Sequence, residues 1–202
     1  MSSSQKPFVL ASASPRRRQL LEGLGLAFQV IRPDDEVEAG LAVDGLTVEQ
    51  VPAALARAKT LSVAAELGAQ LVVGADTVVV EGEEILGKPV DDAEATAMLL
   101  RLQGKQHRVI TAVAACRGER VKTRIETTRV TFRRLSPAEI AHYVASGEGR
   151  DKAGAYGIQG RGSLLVERID GCYFNVVGLP LVALMRLLRE FDFDMLETAC
   201  LA

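Results

Sequence analysis

Tryptophan is absent from this chain, and aromatic residues together make up only 4% of it. Platforms that stack single-stranded bases are built from such rings, so their scarcity argues against that mode of nucleic-acid binding. Cysteine is nearly as sparse: Cys116, Cys172 and Cys200 are far apart, odd in number and without a Cys-x-x-Cys pair. A disulfide framework or structural zinc site is therefore not expected, and a reducing cytosol is the default compartment. His107 and His142 are too few for a histidine-based metal centre. With 24 basic and 26 acidic residues the net charge is −2, so no global field draws the chain to nucleic acid or an anionic membrane. No apolar run approaches the ~18 residues that span a bilayer. Phe8 to Ala11 is too short for a signal-peptide core, and the arginines follow it instead of preceding it. The expected protein is cytoplasmic, with neither nucleic acid nor membrane as partner, and any affinity for anions must be local.

What is present suits one domain, residues 1–202, or one elongated domain with two lobes: 48% of the residues are hydrophobic, enough to bury a real core. Strand and helix patterns alternate. Residues 7–11 read as a strand and 15–24 as a helix stopped by Gly23 and Gly25. A short strand, Phe28 to Ile31, leads into an acidic loop, and a helix runs from about Val48 to Leu67. Residues 71–80 read as a strand that Glu81 to Glu84 turns back. A helix spans Asp92 to Leu102 with Asp91 as its cap, and a hairpin covers 107–116 and 121–132. Ser136 and Glu139 form a capping-box signal for a helix to about Ser146. A glycine-rich stretch follows, then a strand from Ser163 to Ile169. Gly171 to Pro180 reads as strand, turn and helix entry, and a last helix runs from about Pro180 to Phe191. The expected class is α/β, a mixed twisted sheet with flanking helices.

Several segments carry chemistry. In Ser12-Ala13-Ser14-Pro15-Arg16-Arg17-Arg18, Ser14 is a good N-cap and Pro15 falls at the first helical position. Three arginines at a helix start oppose its dipole unless an anion such as a polyphosphate sits between them. A capped surface helix with solvated arginines is the competing reading. Asp76 is a carboxylate inside a run that should be buried, so it needs a metal, a cationic partner or several hydrogen bonds. As a functional group it would ligate a metal or act as the base that orients an attacking water. Asp34-Asp35-Glu36 reads alone as a solvated triplet, although Glu36 with Asp76 would offer the oxygen ligands that Mg²⁺ prefers. Lys59, late in its helix, reads as a surface residue. Lys88 sits in a turn fixed by Gly87 and Pro89. Gln159, in a glycine-spaced segment, offers one acceptor and two donors that can satisfy the edge of a uracil or thymine ring. His107 and Asn175 read as structural, and Ser12 and Ser14 have no base beside them to make a nucleophile.

Taken in order, Ser12-Ala13-Ser14-Pro15-Arg16-Arg17, Asp35-Glu36, Ala58-Lys59, Gly74-Ala75-Asp76-Thr77-Val78-Val79, Leu86-Gly87-Lys88-Pro89, His107-Arg108-Val109-Ile110-Thr111 and the run from Ala153 through Gly160 to Asn175-Val176-Val177-Gly178-Leu179-Pro180 resemble the Maf family of nucleoside triphosphate pyrophosphatases, over about residues 8–190. The resemblance implies an inosine triphosphate pyrophosphatase-like fold with two lobes and a central cleft. It implies hydrolysis of a triphosphate to the monophosphate and pyrophosphate, and suggests a homodimer. It makes Asp76 the catalytic proton acceptor, with Glu36 and Asp76 holding a divalent cation (Mg or Mn). Ser12, Ser14, Arg16, Arg17, Lys59 and Lys88 would bind the phosphates, and Arg16, Thr77 and Gln159 match positions linked to base choice. Asp76-Thr77 and Tyr156-Gly157-Ile158-Gln159-Gly160 look like the branch acting on dTTP and UTP, with modified forms such as 5-methyl-UTP or pseudo-UTP as further candidates. Ala13 departs from a frequent glycine, and Arg18 is an additional arginine. The alternative is a nucleotide-binding regulator of cell division or septum formation with little or no turnover.

Overall fold

The computed structural model describes residues 7–34 and 36–199; Asp35 and Cys200, named above, lie outside them. In chain order the elements are β1 (Phe8–Ala11), α1 (Pro15–Glu22), β2 (Phe28–Ile31), α2 (Glu36–Ala39), α3 (Gln50–Ala64), β3 (Val72–Glu81), β4 (Glu84–Leu86) and α4 (Asp92–Leu102). There follow β5 (Gln106–Arg117), β6 (Arg120–Phe132), α5 (Pro137–Ala145), β7 (Val166–Asp170), α6 (Tyr173–Val177), α7 (Leu181–Arg189) and α8 (Met195–Ala199). Two 3-10 turns, Ala153–Ala155 and Gly160–Leu164, lie between α5 and β7. Among the described residues the strands form a seven-stranded mixed sheet in the order β2-β1-β3-β5-β6-β7, with β4 paired to β3. This is the α/β class expected from the sequence.

By mutual contact the chain divides into two units, and β3, β5 and β6 each contribute residues to both. The first comprises residues up to 76, 112–125 and from 178 onward. In it β1 pairs in parallel with β2, Phe8 opposite Phe28, and with β3, Val9 opposite Val72 and Ala11 opposite Gly74. Every position of β1 is buried, as befits a parallel strand covered on both faces, which is why it reads as a continuous apolar run. The core joins Phe8, Leu10, Leu21 and Val73 to Leu184, Leu187, Leu188 and Phe191. The helical spacing of Ala183, Leu184, Leu187 and Leu188 turns one face of α7 inward.

The second unit comprises residues 77–111 and 126–177. Here β3 turns back into β4, with Val79 opposite Leu86, and β6 pairs antiparallel with β7, with Val130 opposite Ile169. Val79, Leu99, Leu102, Phe132, Ile140 and Tyr156 share one core. Asp91 caps α4 by accepting the Glu94 N–H at 2.8 Å, and Ser136 with Glu139 completes the capping box of α5.

The structure departs from the sequence reading at five places. Gly171 to Pro180 contains helix α6 where a strand and turn were expected, and Glu36 opens the short helix α2 instead of ending a loop. Ser163 and Leu164 belong to a 3-10 turn, so β7 starts later, and α8 has no counterpart in the sequence pattern. Ser14 occupies the N-cap position of α1, but its side chain makes no capping bond; its own N–H donates to Ser12 Oγ at 3.1 Å.

Candidate active site

The register that sets Ala11 opposite Gly74 places Ser12, just beyond β1, beside the stretch of β3 that holds Ala75 and Asp76. Arg17 on α1 ties this region together. Its Nε donates to the Gly178 carbonyl at 2.8 Å, and its Nη1 donates to the Ala75 carbonyl at 2.7 Å and to Ser12 Oγ at 3.3 Å. Burial lowers the guanidinium's pKa below its ordinary value, partly offset by the Asp76 carboxylate. The rigid fork of an arginine suits such a task, and it orders the turn that the serines occupy. Arg16 and Ser14 are half-buried on the same turn.

Asp76 is buried, and its Oδ1 lies 2.6 Å from Lys59 Nζ. The lysine is buried as well, which corrects the surface position expected for it. Glycine at 74 explains how it gets there. A Cβ at that position would stand 2.4 Å from Thr60 Oγ1 and 3.1 Å from the Ala56 carbonyl, so α3 can press against β3 because the side chain is missing. Lys59 then projects onto Asp76 from one residue before Thr60.

A third group completes the cluster. Glu38 Oε1 sits 2.6 Å from the same ammonium, so Lys59 bridges two carboxylates. The sequence singled out Glu36, two residues earlier. Side chains two apart on a helix face different ways, so α2 can direct one of the two toward Lys59, and it directs Glu38. Glu36 is exposed at the start of α2, its N–H donating to Asp34 Oδ1 at 3.0 Å. No sequence signal separates Glu38 from its neighbour.

Burial raises the pKa of Asp76 above the ordinary aspartate value, with Lys59 and then Arg17 pulling it down and Glu38 adding to the rise. A carboxylate moved toward neutrality is a better proton acceptor than an exposed one. The donors in this unit are carboxylate oxygens, the type that Mg²⁺ or Mn²⁺ takes. Among the described residues no three His, Cys, Asp or Glu side chains are gathered as a cage. Their chemistry nevertheless fits a cation such as Mg²⁺, which usually takes one or two carboxylates together with waters and phosphate oxygens.

The second unit holds Thr77, Lys88 and Gln159. Thr77 Oγ1 lies 2.9 Å from Thr111 Oγ1, and Thr111 donates its hydrogen to the Asn175 carbonyl, also at 2.9 Å. A hydroxyl has one hydrogen, so Thr77 must be the donor of the first bond, and its rotamer is set by a buried neighbour. Asn175 is fully buried, with Nδ2 donating to the Val109 carbonyl and to Thr128 Oγ1, the structural tie expected of it. Lys88 is exposed on a turn whose Gly87 carbonyl accepts the Gly154 N–H at 3.0 Å. Gln159 is exposed, with no hydrogen bond from its side chain among the described residues. His107 is structural: buried, held by Tyr156 O–H at 2.7 Å from Nε2 and edge-on to Phe132. Burial pushes its pKa down to about 4.

A family model described as Maf-like protein matches residues 7–191. Curated relatives cover nearly the whole chain. One from Moorella thermoacetica, named dTTP/UTP pyrophosphatase, is 54% identical over 92% of this chain and 95% of its own length. Relatives of the same name from Gloeobacter violaceus and Aquifex aeolicus are 48% and 47% identical, each over 91% of this chain and 95% of their own.

Proposed function

The chain belongs to the Maf family, and from that membership we infer that it is a nucleoside triphosphate pyrophosphatase hydrolysing dTTP and UTP to the monophosphate and pyrophosphate. Its cellular task is removal of such nucleotides from the pool, in the cytoplasm. The observation that carries the chemistry is the Glu38–Lys59–Asp76 cluster, in which the lysine and the aspartate are buried and Glu38 closes it from the exposed side. A site that only bound a nucleotide would have no use for a buried carboxylate whose pKa is raised toward the working range.

Asp76, once ionised, takes a proton from a water. That water's oxygen bonds to the α-phosphorus as the bond to the β-phosphate's bridging oxygen breaks, and pyrophosphate leaves with the electron pair. Charge grows on the leaving group as this happens. Cations fixed in advance stabilise it without reorganising, and they act more strongly where water is excluded. Phosphate contacts are assigned to Ser12, Ser14, Arg16, Arg17, Lys59 and Lys88. Base contacts fall to Arg16, Thr77 and Gln159. A divalent cation held by Asp76, with Glu36 or Glu38, would supply further charge neutralisation.

Purified protein incubated with Mg²⁺ and UTP or dTTP should release pyrophosphate and UMP or dTMP. Orthophosphate as the product would make the enzyme a phosphatase, and tight binding without turnover would restore the regulator reading.

A further inference from the structure

Gln159 stands at the N-cap position of the 3-10 turn Gly160–Leu164, yet its side chain makes no capping bond. The first N–H groups of such a turn need acceptors, and a residue in that position commonly provides one itself. Glu148 provides them from a distance. Its Oε2 accepts the Arg161 N–H at 3.0 Å and its Oε1 the Gly162 N–H at 2.9 Å. On the other side of Gln159, the Gly157 N–H donates to Tyr143 Oη at 3.3 Å, and the Tyr143 O–H donates to Glu148 Oε1 at 3.4 Å.

The glycines make this closure possible. A Cβ on Gly160, where φ is +63°, would lie 2.8 Å from Glu148 Oε2, and one on Gly162 would lie 1.9 Å from the Gly157 carbonyl. The two sides of the loop therefore touch at Gly157 and Gly162, and Glu148 bonds one side directly and the other through Tyr143.

We propose that Glu148, assisted by Tyr143, is a positioning residue for base recognition. It caps the turn from a distance and so fixes the backbone on which Gln159 stands, leaving the Gln159 amide to read the edge of a pyrimidine ring. This rests on the base-contact reading of Gln159 given above.

The test compares kcat/KM for UTP and CTP in wild type, Glu148→Ala, Tyr143→Phe, Gln159→Ala and the Glu148→Ala/Gln159→Ala double variant, with the melting temperature of each. Glu148→Ala should lower the UTP-to-CTP ratio about tenfold, through KM for UTP more than kcat, as expected when a hydrogen-bonded contact is lost. Tyr143→Phe, a milder change, should lower it by roughly threefold. In the Gln159→Ala background the Glu148 substitution should add no further loss of selectivity, since it acts through the missing amide. An unchanged ratio in both Glu148→Ala and Tyr143→Phe overturns the proposal. So does an equal further loss on top of Gln159→Ala, which would mark a general structural effect. If Gln159→Ala itself leaves the ratio unchanged, the base-contact reading fails and the proposal falls with it.

Discussion

Lys59 and Gln159 both belong to the set assigned to the substrate, yet the two units hold them by opposite means. Lys59 is fixed by its own charge, gripped by Glu38 and Asp76 at 2.6 Å each. Gln159 is fixed by its backbone, through bonds made by its neighbours, while its side chain is left out of them. Thr77 belongs to the second pattern, its orientation set by uncharged hydroxyls and a carbonyl. Charge acts over distance and changes with pH, which suits stabilising a reacting polyphosphate. Neutral hydrogen bonds are short-ranged and directional, which suits telling one base from another.

The contrast can be broken most sharply at Asp76. Asp76→Asn should lower turnover of UTP by about 10²–10⁴-fold, the usual contribution of a positioned general base, with the substrate ranking unchanged. Pyrophosphate release measures the first and a panel of triphosphates the second. Near wild-type turnover would remove Asp76 from the chemistry.

Lys59→Met should cost about 3 kcal/mol in thermal unfolding, because it strands a buried carboxylate. It should also shift the acid limb of kcat/KM to higher pH. Burial raises the Asp76 pKa, Lys59 opposes that rise, and the base works only when ionised. A raised carboxylate pKa favours the folded state below the unfolded value, and that advantage is lost as pH rises through the folded one. Removing Lys59 should therefore steepen the loss of stability on going from acid toward neutral pH. An unmoved acid limb would mean that Lys59 does not tune Asp76.

In the second unit His107 offers the matching test. Its pKa is depressed to about 4 in the folded chain, so the unfolded chain binds more protons between there and its ordinary value of 6.5. The resulting stability, about 3 kcal/mol, is fully present above pH 6.5 and is lost as pH falls toward 4. Replacing both partners, His107→Phe with Tyr156→Phe, should flatten the stability profile across that window. Urea unfolding at several pH values would show it, and an unchanged slope would refute it.

The smallest expected effect sharpens the comparison instead of breaking it. Gln159→Ala should reduce selectivity for UTP over CTP about tenfold while kcat falls less, the loss of a directional contact and not of a charge. Full retention of the ranking of dTTP, UTP, CTP and GTP would contradict it.

The sequence displays features that are settled locally. Asp91, Ser136 and Glu139 cap their helices through residues three positions away, and β1 and β3 appear as apolar runs because parallel strands are buried on both faces. Asp76 was visible because a carboxylate inside such a run demands a partner. The partner was not, since Lys59 looks like any helix-surface lysine until α3 is known to press on β3. Glu38, and the task of Glu148 near Gln159, depend on contacts between distant segments, which neither spacing nor composition encodes. Helix α6 was missed for a related reason: its Asn175 is anchored by Val109 and Thr128, far away in the chain.

Gly74 bears on more than packing. Because α3 rests on β3 where a methyl group would have to fit, that one position acts as a spacer between the Lys59 ammonium and the Asp76 carboxylate. Enlarging it would lengthen the ion pair while leaving every charge in the cluster in place. The separation of the two charges could thus be varied without changing their number or kind, through a residue that touches no substrate.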